Sequence, residues 1–294
     1  MTSTKERSPG FVGARRTAEL VGREEEMQHI AAILAANIEH PRVIAIDADG
    51  GIGKTRLLQA ALTQAQMPAI HVATDLVDLY HAPTHTENGL ADAIYQVLKP
   101  GEKRFANYWT ERRLLARLRL TGEVAGVEEQ RQKALKAFDL DMIALAQDRP
   151  IVLALDTAEC FVYDRELRPE SPRQIAQSFA WLCTRLPEWR NVVLLIAGRP
   201  ASRVLYDRME AYGLDVKRIT LSPLHGDKCV RYFSAVEAMA REQGDLARAD
   251  LIARLPNEER LRAGRLAEGR PVLLALLVDL MTVASVSTIN DLLD

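Results

Sequence analysis

The chain alternates short unbroken apolar runs with longer stretches whose apolar residues recur every three or four positions. Val43-Ile44-Ala45-Ile46, Ile151-Val152-Leu153-Ala154-Leu155 and Val192-Val193-Leu194-Leu195-Ile196-Ala197 contain no charge, the pattern of strands buried on both faces. Residues 69–73 and 215–221 read as weaker strands. Between these runs Met27, Ile30, Ala31, Leu34 and Ile38 mark a helix over 23–38, and further helices are predicted over 54–65, 86–98, 105–120, 127–147 and 172–186. Short apolar strands alternating with helices predict an α/β fold, a parallel five-stranded sheet covered by helices and joined by right-handed crossovers. After Pro223 the strands stop, and helices are predicted over 225–242, 246–255, 258–267 and 271–284. The expected organisation is a loose polar tail over 1–18, an α/β core over 19–222 and a small all-α domain over 223–294.

Composition narrows the class without naming a function. With 48% hydrophobic and 27% charged residues, the 294-residue chain matches an ordinary globular protein. A net charge of −2 and a pI near 6.3 give no global attraction to nucleic acid or an anionic membrane. Cys160, Cys183 and Cys229 have no metal-ligand spacing and are expected to be buried reduced thiols. No secretory signal is visible, and the apolar stretch 272–286 carries Asp279 and is too short to span a bilayer. A cytoplasmic protein with no membrane association is the expectation.

The chemistry begins where the first strand ends. Ala48-Asp49-Gly50-Gly51-Ile52-Gly53-Lys54-Thr55 lies between the Val43–Ile46 run and a helix opening at Arg56-Leu57-Leu58. Strand, glycine-rich loop, Lys-Thr and helix together describe a phosphate cradle. Gly50, Gly51 and Gly53 let the backbone approach phosphates, while successive N–H groups and the helix N-terminus supply positive potential. Lys54 would place an ammonium on the β- and γ-phosphates, and Thr55 would offer a hydroxyl to Mg²⁺. Ala48 stands where the G-x-x-x-x-G-K-[ST] pattern has its first glycine. A plain glycine-rich turn ending in Lys-Thr is the alternative.

Two later strands end in candidate partners for that loop. Asp156 closes the 151–155 strand, where open α/β sheets bind ligands, and suits a Mg²⁺-holding role; a helix N-cap is the other reading. Glu159, three residues on, could orient the attacking water. Gly198-Arg199-Pro200 follows the next strand, and Arg199 there can register a γ-phosphate or be a surface turn residue.

Taken in order, these features resemble the STAND family, signal-transduction ATPases related to AAA+ and origin-recognition ATPases. Leu20-Val21-Gly22-Arg23-Glu24 looks like that family's h-h-G-R-x-x-E motif, and the resemblance implies that Val21, Gly22 and Arg23 border the adenine. Asp49 to Leu58 is similar to its phosphate loop and following helix, which implies nucleotide contacts from Gly50, Gly51, Ile52, Gly53, Lys54, Thr55 and Arg56. Asp156 and Arg199 match its Mg²⁺ site and sensor arginine. Gly269-Arg270-Pro271 looks like the G-x-P element of the helical lid, which implies Pro271 near the adenine. The likeness covers about residues 19–285, without a recognisable winged-helix unit or repeat array, so an isolated switch module or a piece of a larger protein is expected.

The resemblance implies ATP/ADP and Mg²⁺ as cofactors, Lys54, Glu159 and Arg199 as catalytic groups, and self-association or a larger multidomain context. No N-K-x-D guanine motif is present, which favours adenine. Lys99 to Arg119 carries seven basic residues with Tyr108 and Trp109 interleaved. A nucleic-acid surface is possible there, but Leu114, Leu115 and Leu118 form an apolar stripe that makes a solvated helix face the favoured reading. Three functions follow: an ATP switch whose nucleotide state moves the lid, an AAA+-like ATPase loading or remodelling nucleic acid or protein, and a non-hydrolysing nucleotide-binding scaffold.

Overall fold

In the computed structural model, residues 20–36, 40–66, 69–121, 126–162 and 172–284 are described; the 1–18 tail lies outside them. The three unbroken apolar runs become the inner strands of one parallel sheet: β1 (Arg42–Asp47), β4 (Ile151–Asp156) and β5 (Val192–Gly198). Every residue of β4 and β5 is buried, as the absence of charge within those runs requires. The short strands β2 (His71–Val72) and β3 (Val77–Asp78) and the edge strand β6 (Asp215–Thr220) complete it. The order is β2-β4-β5-β1-β6, with β3 also on β4.

Six strands therefore fill the five expected positions. β2 pairs with the start of β4 (His71 with Ile151), and β3 with its end (Asp78 with Asp156). β5 lies between β1 and β4, with Asp47 opposite Gly198 and Leu155 opposite Ile196. Because all pairings are parallel, the ends of β1, β4 and β5 emerge along one edge of the sheet.

The helices are α1 (Glu24–Ala35), α2 (Lys54–Gln64), α3 (Glu87–Leu98), α4 (Ala106–Thr121), α5 (Val127–Asp148) and α6 (Pro172–Arg185). They are followed by α7 (Arg203–Ala211), α8 (Asp227–Glu242), α9 (Leu246–Arg254), α10 (Asn257–Leu266) and α11 (Pro271–Ala284). α7 is an unexpected helix of nine residues that buries Leu205, Tyr206 and Met209. Phe138 of α5 meets Phe105, Tyr108, Trp181 and Trp189 with ring centroids 5.1–6.0 Å apart, an aromatic core beside the sheet. Buried Asp141 accepts from Asn107 Nδ2 (2.7 Å) and the Tyr108 N–H (2.8 Å), satisfying donors in the first turn of α4.

On α4 the apolar stripe is narrower than predicted. Leu115 is buried and Leu118 half-buried, but Leu114 is 45% exposed. Arg112 pairs with Asp92, and Arg104 with Asp148 at 3.0 Å. Cys183 and Cys229 are buried thiols, whereas Cys160 is half-buried, because it occupies the first turn after β4 rather than a helix's inner face. Among the described residues, no helix is long and apolar enough to cross a membrane.

The chain divides into two units. One is Glu25–Ser222, the sheet and its helices; the other joins the segment ending at Glu24 to the helices beginning at Pro223. In the helical unit Leu224, Phe233, Val236, Ile252, Leu274 and Val278 form a buried cluster that also includes Val21. Buried Arg260 donates to Leu255 O and Ile252 O, both at 3.0 Å, so its charge is spent on backbone carbonyls.

Candidate nucleotide-binding site

Glycine conformation shapes the loop after β1. Gly51 (φ 78°) and Gly53 (φ 106°) are left-handed, a region costly for residues with a Cβ. Gly53 is the N-cap of α2, with no side-chain cap and no acidic residue in the first turn. Gly53 therefore brings no capping side chain to the N-terminus of α2, which suits an anion. Ala48 is not among the left-handed residues, and its N–H donates to Gly198 O at 3.3 Å. A methyl group is tolerated there because Ala48 extends the sheet rather than opening the turn. Ile52 is buried, so its side chain anchors the loop and only its backbone can face a ligand.

Lys54 Nζ donates to Ala48 O (2.7 Å) and Asp49 O (2.9 Å), curling the loop around the ammonium. Burial lowers its pKa from the ordinary lysine value, while Glu159 and Asp156 pull it back up. Thr55 Oγ1 donates to Asp156 Oδ2 at 2.5 Å, joining the loop to the end of β4. Asp156 Oδ1 accepts the Thr157 N–H at 2.9 Å. Burial raises the Asp156 pKa from its ordinary value, against these two hydrogen bonds, and nearby Asp78 adds to the rise.

Glu159 and Arg199 face each other at the ends of β4 and β5. The Arg199 N–H donates to Glu159 Oε2 at 3.0 Å, and Arg199 Nε lies 3.1 Å from Oε1. The guanidinium lies over the loop, since a Cβ built on Gly50 would be 3.8 Å from Arg199 Nη2. Gly50, Lys54, Thr55, Asp156, Glu159 and Arg199 thus gather at one end of the sheet.

Comparison with known proteins identifies the domain that carries these residues. An AAA ATPase domain matches residues 19–196, more than half of the chain. The chain belongs to the AAA ATPase domain family. No curated protein matches it. Among solved structures, Drosophila ORC bound to DNA is similar with a TM-score of 0.53 and 14% identity, over 88% of this chain and 62% of that one. The Aeropyrum pernix ORC2 protein, in its ADPNP-ADP complexes, is 15% identical with a TM-score of 0.49, over 96% of this chain and 69% of that one. The Drosophila likeness is one of fold, and this chain spans less than two thirds of that protein.

In this AAA ATPase domain protein, Val21, Gly22, Arg23 and Pro271 lie in the helical unit, whereas Arg56 belongs to the sheet unit. Val21 is buried in its core, and Gly22 (φ 70°) is so close to Leu224 that a Cβ would be 2.9 Å from Leu224 Cδ2. The Leu224 N–H donates to Gly269 O at 2.8 Å, and Tyr232 Oη donates to Pro271 O at 3.0 Å. The Val21-Gly22-Arg23 and Gly269-Arg270-Pro271 motifs, far apart in sequence, thus meet around Leu224. Arg23 is buried, and Arg56 is half-exposed on α2.

Three features of the site were not legible in the sequence. Buried Asp47 accepts from Arg203 Nε (3.0 Å) and Nη2 (2.6 Å) and from Thr220 Oγ1 (3.1 Å), which fixes the start of the loop. Tyr206 Oη donates to Ile46 O at 3.1 Å. Asp78 accepts from Thr157 Oγ1 at 3.0 Å beside Asp156. A residue count of the kind Cys or Glu spacing offers would not have revealed these contacts, because each joins elements distant in sequence.

The residues present fit a Mg²⁺–nucleotide pair. The N-terminus of α2 and the Lys54 ammonium would supply positive charge to an anion, and the Thr55 hydroxyl meets the desolvated Asp156 carboxylate, two oxygens that would suit a hard cation. Among the described residues no cluster of three or more His, Cys, Asp or Glu could hold a metal. Mg²⁺ shared with phosphates needs only one or two protein oxygens.

Proposed function

We propose that the chain is an ATP-binding, slowly hydrolysing switch of the STAND type, whose nucleotide state controls lid position and self-association in signalling, regulation or defence. The observation that carries the reading is the convergence of Lys54 and Thr55 with Asp156, Glu159 and Arg199 at the ends of three adjacent strands. The loop N–H groups and Lys54 would bind the β- and γ-phosphates. Mg²⁺, when bound through Thr55 and Asp156, supplies charge neutralisation on those phosphates.

Both oxygens of Glu159 are engaged by Arg199. A γ-phosphate offers Arg199 a competing anion, and its capture would free Glu159 to orient water and accept its proton. Loss of the γ-phosphate would return Arg199 to Glu159. A general base that is paired at rest accords with slow turnover.

The test is to identify the nucleotide on the purified protein and measure phosphate release by the native chain, Glu159→Gln and Lys54→Ala, with the oligomeric state in ATP and in ADP. The reading expects Lys54→Ala to weaken binding about tenfold or more, as the loss of a charge-assisted contact does. It expects Glu159→Gln to bind ATP but release little phosphate. Retained ADP with no release under any condition would leave only a non-hydrolysing scaffold.

A second reading, an AAA+-like ATPase that loads or remodels nucleic acid or protein, draws support from the AAA ATPase domain and from Arg113, Arg117 and Arg119 exposed on α4. Sustained turnover stimulated by DNA or by a protein substrate would favour it over the switch.

A further inference from the structure

Thr157 is a β-branched residue at φ 64°, a backbone region such side chains rarely adopt. Strain of this kind persists only where its surroundings over-determine it. Here the cause is visible. Thr157 Oγ1 donates to Asp78 Oδ1 at 3.0 Å, and β3 is held in place by pairing of Asp78 with Asp156 and by the Leu79 N–H on Asp156 O at 3.0 Å.

The turn at Thr157 serves two neighbours at once. Its own N–H fixes Asp156 Oδ1, leaving Oδ2 directed at Thr55. Its left-handed φ swings the chain sideways, so that the Ala158 N–H donates to Ala197 O at 2.9 Å and Glu159 arrives at Arg199. An ordinary extended residue at 157 would carry the chain straight on, away from β5.

We propose that Thr157, braced by Asp78, is a positioning residue that sets the orientation of Asp156 toward the Mg²⁺ site and delivers Glu159 to Arg199. The inference rests on the nucleotide reading above and adds to it two residues that touch neither phosphate nor reacting water. Asp78 acts through Thr157, and Thr157 acts through the two carboxylates on either side of it.

The experiment measures ATP affinity of the full chain by calorimetry in Mg²⁺ and in EDTA, and takes the ratio. Thr157→Val keeps the β-branched shape and removes the hydroxyl. Its Mg²⁺ enhancement is expected to fall about five- to tenfold, the size of one lost hydrogen bond, while affinity in EDTA stays within about twofold. Asp78→Ala is expected to behave the same way. Thr157→Ser and Asp78→Asn, which keep donor and acceptor, are expected to restore the native ratio. Thr157→Gly relieves the strain and also lacks the hydroxyl, so it gives the same loss if the valine variant does not fold. A native ratio in folded Thr157→Val or Thr157→Gly overturns the proposal while leaving the nucleotide reading intact. If the native chain itself shows no Mg²⁺ enhancement and Lys54→Ala binds ATP equally well, the nucleotide reading falls and this role falls with it.

Discussion

Asp139 is a carboxylate in the wrong medium, and replacing it with Asn should stabilise the protein at neutral pH. It lies on α5 next to Phe138, buried against the aromatic core, with Arg185 Nε 3.2 Å from Oδ2. Burial raises its pKa from 3.8 to about 6, only partly offset by Arg185, with Glu188 and Glu87 pushing in the same direction as burial. At about 1.36 kcal/mol per pH unit, the displacement corresponds to about 3 kcal/mol. Arg185 is 41% exposed, so solvent screens part of this, and about 1–2 kcal/mol is the expected net effect. The sign follows from the raised folded-state value. The contribution is fully favourable below pH 3.8, where the carboxyl is neutral in both states, and is lost as pH rises through about 6. Urea unfolding followed by tryptophan fluorescence reports on this region, since Trp181 and Trp189 both pack on Phe138. Asp139→Asn should match the native chain near pH 4 and exceed it by about 1–2 kcal/mol at pH 7.5. A variant that is less stable at pH 7.5, or a gap independent of pH, would refute the reasoning.

Other perturbations test separate parts of the structure. Gly269→Ala puts a Cβ 2.2 Å from Leu224 O at a residue with φ 64°, so the helical unit should lose about 2 kcal/mol or more in chemical denaturation. Phe138→Ala removes the ring that touches four other aromatic residues, and a loss of about 3–5 kcal/mol is expected in the same assay. Arg199→Ala should cut the preference for ATP over ADP about tenfold in competition binding and leave ADP affinity nearly unchanged; an unaltered preference would remove Arg199 from γ-phosphate sensing.

The legible parts of this protein are those whose signal is local. The loop from Gly50 to Thr55 is readable because its glycines, Lys-Thr pair and flanking elements occupy one short segment. Asp156 and Arg199 stand out because each follows an apolar run that can only be an inner strand. What stayed hidden depends on residues far apart. β3 is two residues long and carries no periodicity, so nothing in the sequence brings Asp78 to Asp156. Arg203 belongs to a short amphipathic helix, and its pairing with Asp47 spans 156 positions. Leu114 shows the opposite failure: spacing put it on the apolar stripe, but on α4 it is Tyr108 and Leu115 that are buried, and Leu114 is 45% exposed.

The placement of β5 between β1 and β4 has a further consequence. The strand carrying the phosphate loop and the strand carrying Asp156 are not neighbours, so their separation is two strand spacings, about 9.5 Å. β5 is a spacer as well as the bearer of Arg199. Its width sets the opening across which Thr55 must reach Asp156, and a backbone ladder holds that width far more rigidly than any pair of side chains could. Side-chain variation can retune the chemistry at the rim, while the dimension of the opening is fixed by the sheet.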